Sequence, residues 1–123
     1  MAGEEKVIQG APNFDKLQIV KKGVKSLTKS ASNRFESIDV AHGLDFTPIV
    51  ICFVEDDTGT RQPAPLISIT STGAGGYFFR ALAGYVVSAT NITFFIDTNS
   101  GSPDSSVAIT RIFRYYLLRE VSD

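Results

Sequence analysis

Phe35-Glu36-Ser37-Ile38-Asp39-Val40-Ala41-His42-Gly43-Leu44-Asp45-Phe46-Thr47-Pro48-Ile49-Val50-Ile51-Cys52-Phe53-Val54 reads as strand, turn, strand. Ile38 and Val40 alternate with Glu36 and Asp39, the period-2 pattern of a half-buried strand. His42-Gly43-Leu44-Asp45 supplies the bend, where Gly43 can take a positive φ at little cost. Pro48 opens a run from Ile49 to Val54 that is apolar on both parities, as in a strand covered on both faces. The stretch contains the chain's single His and single Cys.

Working outward, the same grammar repeats. Residues 16–22 form a short strand candidate. Residues 23–33, rich in Ser, Thr and Lys, read as a loop or weak edge strand. Residues 55–60 form a turn cluster, and Pro63 and Pro65 flank a strand over residues 66–70. Residues 72–76 are a glycine-rich connection. Residues 77–87 form a long apolar strand, with Gly84 marking a bulge or bend. Ile92, Phe94 and Ile96 share one face of a strand over residues 91–97. Residues 98–106 are an exposed loop. The closing segment, residues 107–120, has a helical alternative, but Val, Ile, Thr, Phe and Tyr dominate it and no N-cap precedes it, so a strand is expected. Residues 1–15 are a charged leader with Gly3, Gly10 and Pro12.

Seven or eight strands in a chain of 123 residues predict one all-β domain over residues 16–123, an antiparallel β-sandwich or jelly-roll-like fold. Three strands, at residues 49–54, 77–87 and 113–118, are apolar on both parities. A two-sheet sandwich buries one face of each strand. The surplus face calls for cover, which another copy of the chain would supply.

Composition excludes several classes. No apolar run is long enough to span a membrane as a helix, and no signal-peptide core follows the polar start, so membrane insertion and export are not expected. One Cys permits no internal disulfide and no zinc cluster. All six Lys lie within the first 29 residues, and residues 1–34 carry seven positive and three negative charges against five and ten in the remainder. No aromatic residue interleaves the lysines from Lys16 to Lys29 as a single-strand binder requires. They read instead as an edge strand that discourages unwanted pairing, and no nucleic-acid partner is expected.

Chemistry-bearing motifs are few. Asp57-Thr58-Gly59 spells the aspartic-protease tripeptide after an apolar strand, and a homodimer would supply two carboxylates sharing a proton. Thr60 stands where that family places Ala or Ser, no apolar-apolar-Gly element follows near the C-terminus, and Asp56 makes the turn doubly acidic and hairpin-like. His42 lacks a nucleophile with a local signature and reads as a turn residue. Cys52 sits in the most apolar run and reads as an inert core thiol. Asp97, Asn99 and Asp104 place oxygens in one loop, but their spacing departs from the EF-hand pattern. No catalytic residue, metal site or cofactor is therefore expected. The loop candidates for ligand contact are Asp56, Asp57, Arg61, Asp97, Asn99 and Asp104.

Val40-Ala41-His42-Gly43-Leu44 followed by Phe46-Thr47-Pro48-Ile49-Val50 resembles a phrase of bacteriophage and prophage tail-fibre or receptor-binding domains. Lys22-Gly23 before a Ser-rich stretch, Thr90-Asn91-Ile92-Thr93 and the closing Phe113-Arg114-Tyr115-Tyr116-Leu117-Leu118 fit the same pattern. The resemblance spans residues 16–120. It implies a non-catalytic virion module made in the host cytoplasm and commonly trimeric. Its partners would be other virion proteins and a host-surface glycan or protein, reached through loops. A carbohydrate-binding, lectin-like module is the alternative, weakened by the absence of Trp, the best sugar-stacking residue. A small dimeric aspartic protease is the remote one.

Overall fold

A computed structural model describes residues 16–71, 77–99 and 102–121. The elements are β1 (Leu17–Lys29), β2 (Phe35–Ala41), β3 (Ile49–Glu55), β4 (Arg61–Pro63), β5 (Leu66–Ser71), β6 (Tyr77–Val87), β7 (Asn91–Thr98), a 3-10 turn (Pro103–Ser106) and β8 (Ile109–Glu120). They form two antiparallel four-stranded sheets, ordered β1-β8-β3-β4 and β2-β7-β6-β5. The protein is an all-β sandwich. Consecutive strands switch sheets at the start and end of the chain, as in a jelly roll. In the middle, β3-β4 and β5-β6-β7 are plain hairpins within one sheet.

Period-2 patterning decides which side chains face inward. On β7, Ile92, Phe94 and Ile96 are fully buried. On β8 the inward set is Ile109, Phe113, Tyr115 and Leu117. The two sheets meet where Phe94 packs on Phe113 and Tyr115, with ring centroids 4.8 and 5.2 Å apart. Val54 and Cys52 of β3 and Ala81 and Ala83 of β6 complete the same cluster. Tyr85, also inward, crosses between the sheets and donates its hydroxyl to the Val50 carbonyl at 3.3 Å.

The structure decides one open local expectation and corrects three. Strand β1 runs unbroken to Lys29, so residues 23–29 are edge strand and not loop; Leu27 and Lys29 point into the core and hold it there. Gly84 does not break β6. It pairs with Phe95, whose ring covers it, and the register shift lies instead between Ser68 and Ile69 of β5. Glu36 shares the inward parity of Ile38 and Val40, opposite Ile96, and is half-buried. The stretch after β7 is not wholly exposed. Thr98 and Ser102 are buried, because Thr98 donates its hydroxyl to the Arg34 carbonyl at 2.7 Å and Ser102 caps the 3-10 turn by accepting from the Asp104 amide. The expected leader and the glycine-rich connection at residues 72–76 lie outside the described residues.

Candidate functional site

Strand directions and register place the turns at two ends of the sandwich. Among the described residues, one end gathers residues 30–34, residues 56–60, and residues 99 and 102–107. These join β1 to β2, β3 to β4 and β7 to β8. All six loop candidates lie at this end, so residues far apart in sequence share one surface.

The β3–β4 turn is built by Asp56. Its carboxylate accepts the backbone amides of Thr58 and Thr60, each at 2.9 Å, and the Thr58 hydroxyl at 2.7 Å. Gly59 takes φ +86°, which a side chain would resist. The Thr58 hydroxyl, then burial opposing it and the two amides, leave the Asp56 carboxyl below its ordinary value. Asp57, the acid of the protease-like tripeptide, is exposed at the tip of this turn. Asp56 therefore shapes the loop and Asp57 is presented by it.

Arg61 points along the outer face of the first sheet. There Glu55 accepts from Arg61 at 3.0 Å and from Arg114 of β8 at 3.3 Å. Those two guanidinium hydrogen bonds hold the Glu55 carboxyl below its ordinary value.

The second group is braced from β6. Arg80 reaches Asp104 at 2.9 Å, and its carbonyl accepts from the Asn99 amide at 3.2 Å and the Ser102 hydroxyl at 3.4 Å. Asp97 closes β7 opposite Phe35 and Leu82. Asp97 is therefore a strand residue and not a member of the loop that holds Asp104, which departs from the expectation, and Asp104 is spent on Arg80. Among the described residues, no three His, Cys, Asp or Glu side chains converge as metal ligands.

Lys29 was missed by sequence reasoning, which read it as one more solvated lysine. Its side chain is fully buried. The ammonium donates to the carbonyls of Ser30, Asn33 and Val107 at 2.9, 2.7 and 2.7 Å. One cation thus ties the β1–β2 turn to the approach to β8. The period-2 continuation Lys25, Leu27, Lys29 was the available signal.

His42 stands at the opposite end. Its ring accepts the Leu44 amide at Nδ1 (3.1 Å), so Nε2 carries the proton and donates to the Ser88 carbonyl at 3.0 Å. Its own amide donates to the Thr90 carbonyl. The ring joins the β2–β3 turn to the β6–β7 turn, and both nitrogens are occupied. Lys21 caps the same turn by donating to the His42 carbonyl at 2.8 Å. Cys52 is buried, and burial pushes its thiol up to about 12.

Both outer sheet faces carry exposed apolar side chains among charged ones. On the first sheet, rows run Ile19–Leu118–Ile49 and Lys22–Tyr116–Ile51 across β1, β8 and β3. A shallow groove of about 370 Å³ lies beside Lys22, Val24, Arg114 and Tyr116. On the second sheet, Pro65, Ile67, Leu82, Gly84, Val86 and Phe95 line a shallow depression of about 690 Å³. Comparison with protein-family models, with curated proteins and with solved structures finds no match.

Proposed function

We propose that this chain is a non-catalytic module of a bacteriophage or prophage virion. It associates with copies of itself and attaches to a host surface through the loops at one end of the sandwich. The observation that carries this reading is the gathering of Asp56, Asp57, Arg61, Asp97, Asn99 and Asp104 at that end. The loops are braced by Asp56 and by the Arg80–Asp104 pair. Pre-formed loops lose little freedom on binding, which favours recognition. The His-Gly-Leu and Phe-x-Pro phrases around the β2–β3 turn support the virion setting. The exposed apolar side chains on both sheet faces support self-association.

The test is binding of the labelled full chain to cells of the bacterium that carries the gene and of its relatives. Cell binding that falls at least tenfold in an Asp57→Ala, Asn99→Ala double variant is expected. Cell binding unaffected by that variant overturns the loop assignment, and no binding to any strain overturns attachment. Tail or lysis genes beside this one are expected, and a metabolic operon there would remove the virion setting. Competition by a free glycan, together with binding in the absence of other virion proteins, would favour the lectin-like module.

A further inference from the structure

The geometry points to a heterologous contact in which the outer face of the β1-β8-β3-β4 sheet of one copy packs on the outer face of the β2-β7-β6-β5 sheet of the next. This rests on the self-association proposed above and specifies which surfaces make it.

The two faces match in apolar content and oppose in charge. The first carries Ile19, Val24, Ile49 and Ile51, exposed by 58, 58, 47 and 45%. The second carries Phe35, Ile67, Ile69 and Val86, exposed by 51, 51, 62 and 59%. Lone exposed aliphatics are ordinary, but four on one sheet face form a patch.

Charge then selects the pairing. On the first face, Glu55 is shared between Arg61 and Arg114, leaving one positive charge in excess; Lys22 adds another and Glu120, outward opposite Leu17, removes one, so the face keeps a net positive charge. On the second face stand Asp39 and Asp97, outward by register opposite Thr93 and Phe35. Arg80 does not offset them, because Asp104 takes its charge. Two first faces brought together oppose like charges, and so do two second faces. First on second brings opposite charges together around an apolar centre.

Such a contact uses two different surfaces of each copy. It does not exhaust itself in a pair: each added copy presents a fresh face until rotation closes a ring.

The test uses the full chain with one face blocked at a time. Ile51→Asp blocks the first face and leaves the second intact; Ile67→Lys does the reverse. By light scattering at tens of micromolar, the unmodified chain is expected to assemble and each variant to be monomeric. An equimolar mixture of the two is expected to form a one-to-one dimer at twice the chain's mass and nothing larger. One variant still assembling alone means a contact between like faces and overturns the proposal. So does a mixture that stays monomeric. An unmodified chain that is itself monomeric removes the self-association beneath it, a different result. Should either variant lose its β-sheet circular dichroism, Val24→Asp and Val86→Lys block the same two faces.

Discussion

The Tyr115 ring lies over the α-carbon of Gly23, its cross-strand partner on β1, so closely that a Cβ there would collide with the hydroxyl and ring carbons. Tyr115 has little room to move, because it is buried and packed against Phe94. Gly23→Ala is therefore expected to cost about 1–3 kcal/mol through overpacking. The cost is read as a lower urea midpoint at unchanged slope. Repeating Gly23→Ala in a Tyr115→Leu background should reduce the loss. Equal losses in both backgrounds would show that the ring is not the cause.

Lys29→Met keeps most of the apolar stem and removes the ammonium. The Asn33 and Val107 carbonyls then lose this donor, while the Ser30 carbonyl keeps the Asn33 amide, for an expected cost of about 1–3 kcal/mol. Lys29→Arg should not restore stability, since a planar fork does not suit three acceptors converging on one point. Thermal denaturation of the three proteins checks the order. Parity of Arg with Lys would disprove the point-charge account.

These two residues also mark how far the sequence could be read. The sandwich was legible because Ile92, Phe94 and Ile96 alternate cleanly and the turn residues fall at regular intervals. The β2–β3 turn was legible from His42-Gly43, although not the part His42 plays in binding a second turn. That bond needs Ser88, 46 residues away. Lys29 was illegible for a similar reason: its polar partners are main-chain carbonyls, which every residue carries, so no side-chain pattern signals them. Gly84 misled because glycine in a strand suggests a bend, whereas here it makes room for the Phe95 ring. The loop candidates were visible singly by composition. That they share one end required the pairing of β3 with β8 and of β2 with β7.

Cys52 should be silent towards thiol reagents in the folded protein. Burial raises its thiol to about 12, so the nucleophilic thiolate is scarce at neutral pH. The neutral thiol is the favoured form: its share of stability is present below the unfolded thiol's ordinary value and is lost only as pH rises towards 12. Labelling by a chromogenic disulfide is expected only after denaturant is added, and raising the pH from about 7 to about 9 should give little increase. Rapid labelling of the native chain would contradict the burial of Cys52.

Glu55 should make the fold acid-sensitive. Its carboxyl is held below its ordinary 4.5 by hydrogen bonds from Arg61 and Arg114. A depressed carboxylate stabilises the native state above that ordinary value, and the contribution is lost as pH falls through the folded value. Glu55→Gln should therefore lower the melting temperature at neutral pH and lessen its decline on acidification. Melting curves across the acid range check this. Parallel declines for the two proteins would mean that Glu55 contributes nothing to acid sensitivity.

The central position of β8 in its sheet, between β1 and β3, has a consequence for the growing chain. During synthesis β1 to β4 emerge first, yet the strand that joins β1 to β3 is made after the other seven described strands. Until it arrives, half of the sandwich cannot close, and Ile49 and Ile51 wait without their partners Leu118 and Tyr116. Folding must therefore be a late, long-range event, slowed by the closure of a loop nearly as long as the domain. The interval between translation of β3 and arrival of β8 is when the chain most needs protection from neighbouring nascent chains.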